Sequence, residues 1–272
     1  MPHLIFKGET ANVAAMIRFI QVAMLGFVLS GNALAQQAPG SNDQWHAREA
    51  AHYSACMAQT RTNPEAAFDD AVAWQGLGGG APASHCRAAA LMGIGHYLEA
   101  AQGLENLAIE SKAQPDFKAR LLVQSAKAWI AAEDPAKARE IANSALLLVP
   151  DDPEALIARA LALEALGEFW GMADDLNTVL SAHPTHVEAL VLRGAAYRQL
   201  DTLDLALDDL NRALALDPTH AEGLLERGTV YRLQGEKVAA RADWRKLIAS
   251  HPKSAPAQKA AIDLYSLDSG VD

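Results

Sequence analysis

The sequence predicts an all-α protein built from stacked helix pairs, and three observations carry that prediction. A pattern of apolar, small and turn residues recurs every 34 residues, marked by Pro150, Pro184, Pro218 and Pro252. Self-similarity at a period of this length is the signature of an array whose units bury their apolar faces only against their neighbours. Small residues also recur at two places in each unit, where the helices of a hairpin must approach closely. They are Ala126, Ala160, Gly194 and Gly228 in the first helices, then Ala138, Met172, Ala206 and Ala240 in the second. Met172 is the largest of these and should splay its pair slightly. Finally, the 272 residues are 50% hydrophobic but only 6% aromatic, which suits a helical core of small and aliphatic side chains.

Taken in order, residues 1–35 read as a secretory leader. Arg18 precedes the apolar run Phe19 to Leu29, and Ala33-Leu34-Ala35 places small residues where a signal peptidase cuts. Cleavage is expected between Ala35 and Gln36. The run is shorter than the about 20 residues that span a bilayer, so no stable membrane insertion is expected after cleavage. No cysteine follows to support a lipid anchor, and Met16 is an alternative start. Residues 36–45 form a linker, with a first helix from about Trp45 to Gln59 and a second from Pro64 to Gln75. Gly76 to Gly80 is a loop; it lacks the Gly-Lys-Ser/Thr of a phosphate loop, and no cofactor is implied. Residues 46–118 hold two divergent helix pairs, and the extra residues Ser111 to Lys118 lengthen the connection that follows them. Four regular units occupy 119–254. A capping helix, about Pro256 to Leu267, lies within 255–272 and should show a polar outer face.

Helix starts carry Ser/Thr-x-x-Glu spacing at Thr185/Glu188 and Thr219/Glu222, with Asp151/Glu154 alike, as in a capping box. Arg159/Asp175, Arg193/Asp209 and Arg227/Asp243 stand 16 residues apart at the same two repeat positions, so an ion pair is expected across each hairpin. The alternative is an arginine row for anionic ligands. The net charge of −10, near −11 once Lys7, Glu9 and Arg18 leave with residues 1–35, excludes the clustered basic footprint of a nucleic-acid binder.

In the stretch from Val187 to His220, the residues Leu190, Gly194, Tyr197, Ala206, Leu210, Ala213 and Pro218 stand at the marker positions of the tetratricopeptide repeat, and the chain resembles that family. The resemblance implies a right-handed α-solenoid of about six helix-turn-helix repeats that binds partners without catalysis, in the groove lined by its first helices. Carried over by position, the groove residues are Arg120, Val123, Lys127, Ile130, Ile157, Leu161, Glu164, Val191, Ala195, Arg198, Leu225, Thr229 and Arg232. Aliphatic side chains mixed with charges suit an extended peptide or a partner helix. Arg198 and Arg232 share a repeat position and could form a short basic stripe. The asparagine and lysine set with which some family members clamp a C-terminal carboxylate is absent.

In that architecture Cys56 and Cys86 fall on the parallel first helices of repeats one and two. Export favours a disulfide between them, which could add roughly 3–4 kcal/mol in the chain-entropy model. The rival readings are free thiols, or a thiol nucleophile with His52 as its base. His52 and His85, with His46 or His96, could approach a metal, but the tight ligand spacing of a zinc site is lacking and no metal is expected. His183, His186, His220 and His251 read as turn and capping residues. The expected function is an exported, periplasmic interaction scaffold with a protein or peptide partner. The rivals are a self-associating structural subunit and a thiol or metal enzyme using His52, Cys56 and His85.

Overall fold

The structure is a computed structural model that describes residues 41–269. The leader, its cleavage point and the start of the linker lie outside these residues. Among the described residues there are thirteen helices and no strand. Two irregular hairpins come first, α1 (Ser41–Gln59) with α2 (Pro64–Gly76) and α3 (Gly80–Ile94) with α4 (Tyr97–Glu110). Four regular hairpins follow: α5 (Pro115–Ala131) with α6 (Pro135–Leu148), α7 (Pro153–Ala165) with α8 (Phe169–Ala182), α9 (Val187–Gln199) with α10 (Leu203–Leu216), and α11 (Ala221–Leu233) with α12 (Lys237–Ser250). The last helix, α13 (Ala255–Ser269), packs on α12 and α11. Each helix packs on the next, and first helices also meet first helices, as α5 does α7. This is the helical solenoid that the period predicts.

Two boundaries differ from expectation. The first helix begins at Ser41 inside the expected linker, because the breakers Pro39 and Gly40 precede it and nothing between Ser41 and Trp45 interrupts a helix. The residues beyond the regular period do not all lengthen the connection before repeat three. Pro115 to Lys118 instead form the first turn of α5, where Pro115 loses no hydrogen bond and Asp116 favours the positive end of the helix dipole.

The helix caps are shifted by one residue from the expected boxes. Asp152 caps α7 by accepting from the Ala155 N–H at 2.8 Å, and the Nδ1 atoms of His186 and His220 accept from Ala189 and Gly223, each at 3.2 Å. Asp151 instead adopts a positive φ of 59°. The first-to-second-helix turns also share one register: Gly95, Glu133, Gly167, Asp201 and Gly235 all take positive φ, from 56° to 91°. Glycine enters this region freely, whereas Glu133 is held in a strained conformation by the turn around it.

The small positions are small for a steric reason. A Cβ on Gly194 would come within 2.8 Å of Leu210, and one on Gly228 within 2.4 Å of Trp244, which fills the place Leu210 has one repeat earlier. Met172 is fully buried in its hairpin.

The three expected ion pairs are present and bidentate. Arg159, Arg193 and Arg227 donate through Nε and Nη2 to both carboxylate oxygens of Asp175, Asp209 and Asp243, at 2.6–2.8 Å. The Nη1 of each donates to Asn143, Asn177 or Asn211 on the preceding repeat. The result is an Asn–Arg–Asp ladder that ties each hairpin to itself and to its predecessor. The aspartates are 2–6% exposed and their arginines 15–29%, so each desolvated carboxylate is bonded at both oxygens, the condition under which a buried charge is tolerated.

α13 seals the end with Ala257, Ala260 and Leu267. Its outer face is not wholly polar, since Ile262 and Tyr265 are exposed. They stand one period after Gly228 and Tyr231, positions that elsewhere receive a second helix.

Candidate functional site

One face of the solenoid is lined by the first helices, and the sequence-predicted groove residues divide on it. Val123, Ile157, Val191 and Ala195 are 1–6% exposed and belong to the core. Val123, Ile157 and Val191 pack in the core clusters, and first helices meet directly at α5–α7 and α9–α11, so these side chains do not face a partner. Arg120, Lys127, Ile130, Leu161, Glu164, Arg198, Leu225, Thr229 and Arg232 remain partly or fully exposed. The exposed surface is therefore narrower and more polar than the positional pattern suggests.

Most of its charges are already paired. Arg120 bonds Asp116 at 3.2 Å on its own helix, and Lys127 bonds Glu154 on the next repeat at 2.9 Å. Arg198 donates through Nε to Glu226 at 2.6 Å, and both side chains are 19% exposed. This corrects the basic stripe: Arg198 is neutralised by its neighbour, while Arg232 has no ion-pair partner among the described residues. Glu164 lies near the Arg198–Glu226 pair. Burial pushes its carboxyl above the usual range, the negative charge of Glu226 pushes the same way, and Arg198 opposes them. Thr229 uses its hydroxyl internally, donating to the Leu225 carbonyl at 2.9 Å.

At the amino-terminal end a polar chain links three repeats. Tyr53 O–H meets His85 Nδ1 at 2.6 Å, and His85 Nε2 meets Gln124 Oε1 at 2.9 Å. Because the amide oxygen only accepts, Nε2 carries the proton and Nδ1 accepts from Tyr53. Burial raises the Tyr53 hydroxyl above its ordinary range. His52 instead bonds Asp70 at 2.9 Å and stacks on Trp74 with 4.1 Å between ring centres. The two histidines thus serve different partners, and no group of three or more metal-binding side chains occurs among the described residues. Cys56 and Cys86 are bridged, with their Cα atoms 6.1 Å apart. Bridged and buried, Cys56 is not the free thiol that a nucleophile paired with His52 requires.

Sequence reasoning missed Glu226, Glu154, Tyr53 and Gln124. Their partners lie 27–39 residues away, across repeat boundaries, and only the superposition of neighbouring periods could have paired them.

Comparison with known proteins agrees with this geometry. Residues 222–254 match the sequence pattern of the tetratricopeptide repeat. No curated protein matches the chain. Among solved structures, MamA (residues 41 to the end) from Desulfovibrio magneticus RS-1 is 20% identical with a TM-score of 0.54, covering 64% of this chain and 97% of that one. A tetratricopeptide-repeat protein from Parabacteroides merdae is 23% identical with a TM-score of 0.55, covering 67% and 71%. A chain of the APC/C hetero-tetramer Cut9–Hcn1 is 15% identical with a TM-score of 0.63 over 84% of this chain, which spans 46% of that one. Residues 222–254 thus carry the pattern of a tetratricopeptide repeat, and the described chain shares the helical-solenoid fold of these structures.

Proposed function

We propose that the chain is a non-catalytic interaction scaffold of the periplasm that holds a peptide or helix of a partner protein against the face formed by α5, α7, α9 and α11. The observation that carries this reading is the composition of that face. Ile130, Leu161 and Leu225 stay partly exposed among charges that are mostly satisfied within the protein. Such a surface takes apolar contacts at its centre and adds a few charge contacts, Arg232 among them, at the rim. The leader-like residues 1–35 and the Cys56–Cys86 bridge support export to an oxidising compartment. The Cut9–Hcn1 assembly supports the use of this fold within complexes.

The test is capture of crosslinked partners from the cell envelope with the native chain and with a Leu161→Glu, Arg232→Glu variant. Lys246→Glu, an exposed change on α12, serves as control. A partner kept by the native and control chains and lost by the groove variant supports the reading; one kept by all three overturns the assigned face.

A second reading, self-association, is favoured by Ile262 and Tyr265 on the open face of α13. Light scattering across a concentration series that shows a monomer throughout sinks it.

A further inference from the structure

The ladder position has a fourth arginine. Arg87 on α3 occupies, in the second repeat, the place that Arg159, Arg193 and Arg227 hold in the later ones. Its two ladder partners are missing. The residue 16 further on, where the others have aspartate, is Gly103, and Val72 stands at the place of the asparagine on the preceding repeat. The guanidinium lies over the Phe68 ring at 5.7 Å, much as Arg193 and Arg227 lie by Tyr197 and Tyr231 at 5.8 Å. Yet no hydrogen bond or ion pair reaches it among the described residues, and its Nε is buried without a partner. That same atom grips the aspartate in all three complete rungs.

A cavity borders the place an aspartate would fill. A cavity of about 170 Å³ lies between α2, α3 and α4, with Arg87, Gly103, Gln75, Ser84 and Asn106 in its wall. Repeat three shows the contrasting outcome. There Ser125 and Ile141 replace arginine and aspartate together, and Ser125 is satisfied by the Ala101 carbonyl at 2.9 Å. Only the second repeat keeps the arginine and leaves out the carboxylate.

We propose that the Arg87 cavity is a binding site for a monocarboxylate, supplied from outside, that pairs with the guanidinium in place of the missing aspartate. A buried guanidinium donor without an acceptor is costly, and a planar carboxylate satisfies it bidentately. Ala88, Leu91 and Leu107 complete the wall with apolar surface suited to a short aliphatic tail. At about 30 Å³ per water in the liquid, the cavity equals five or six waters, enough for a carboxylate with a few carbons. Glu99 and Glu110, both exposed, also border it, so a second negative charge on the ligand is disfavoured. The ligand is thus a monoanion rather than a phosphate dianion. It is either a free short-chain acid or the carboxylate end of a peptide. The site lies about 200° around α3 from His85 and is separate from the groove.

The experiment uses the purified full chain with acetate, propionate and butyrate. It adds a pair of short uncharged peptides, one with a free C-terminal carboxylate and one amidated, and runs each at constant ionic strength. The readouts are Tm and the Arg Nε–H resonances in a ¹H–¹⁵N spectrum. The variants are Arg87→Gln and Gly103→Asp. A Cβ at position 103 meets only Ala88 at 3.8 Å, so the aspartate can enter the cavity and supply the carboxylate internally.

The expected result is that butyrate raises Tm by about 3 °C near saturation and moves one Nε–H resonance downfield. Gly103→Asp should raise Tm without ligand and abolish the response, and Arg87→Gln should abolish it too. A response to the free-ended peptide but not to butyrate assigns the peptide source, and the reverse assigns the small acid. An equal response in the native chain and in Gly103→Asp, or no resonance shift with any carboxylate, overturns the proposal and leaves the rung as an unfilled void.

Discussion

The carboxy-terminal and amino-terminal halves hold their repeats together by different means. From α7 to α12 each hairpin repeats one device, an arginine that locks its own aspartate and the preceding asparagine, over a core of Leu176, Leu190 and Leu210 and, in the last hairpin, of Leu224 and Trp244. In the first two repeats the device is broken in two ways. Asp70 is kept without an arginine and is taken up by His52, whereas Arg87 is kept without an aspartate. The binding there falls to a covalent link and to polar chains between helices. Cys56 is the one buried side chain of α1 among the described residues. A regular period therefore spreads stability evenly along a solenoid, and divergence from it concentrates stability at particular bonds.

Breaking the concentrated bond should show the largest effect. Reduction of Cys56–Cys86, or the pair Cys56→Ser with Cys86→Ser, should cost about 3.5 kcal/mol for a loop closed across 30 residues. In hydrogen exchange the loss should fall on α1 to α3, with α9 to α12 unchanged. If the reduced protein keeps its protection in α1, packing rather than the bridge holds that half together.

Next in size is the ladder itself. Asp209→Ala leaves Arg193 without its partner, with Asp209 only 2% exposed at present, and should lower stability by about 3 kcal/mol in denaturant unfolding. Asp70→Ala, whose pair with His52 is about two-fifths exposed on each side, should cost less than about 1 kcal/mol. Equal losses at the two aspartates would erase the distinction between the halves.

The smallest expected effect concerns Glu164 in the groove. Its folded-state pKa is raised by burial and by Glu226. The folded state therefore binds the proton more tightly than the unfolded chain. The charged form costs stability above the raised pKa, and that cost fades as pH falls below the ordinary carboxylate range. Glu164→Gln should thus raise Tm slightly at pH 7 and leave it unchanged near pH 3. An increase at both values would trace the gain to packing, and none at pH 7 would mean that Arg198 compensates the buried charge.

Much of this was legible in the sequence because a repeat states the same local physics several times. The spacing of Arg159 to Asp175 recurs in Arg193 to Asp209 and Arg227 to Asp243, and the structure closes all three. The small residues facing Leu210 and Trp244 were readable for the same reason. The caps were misread by one residue, since His186 and His220 can accept from a backbone N–H through Nδ1 and so take over from Thr185 and Thr219. The groove was read too widely. Position along a helix tells which way a side chain points, but not whether the next repeat covers it, and Val123, Ile157 and Val191 are covered.

The sequence by itself determined the solenoid, its period, the hairpin ion pairs and the sequence positions of the two cysteines, because each rests on contacts within one repeat or on exact repetition. Only the tertiary structure decided which groove charges are spent on each other, that His52 and His85 part to different partners, and that Arg87 borders a cavity where the later repeats place an aspartate. Those outcomes depend on side chains from adjacent repeats meeting in space, at separations that no local pattern encodes.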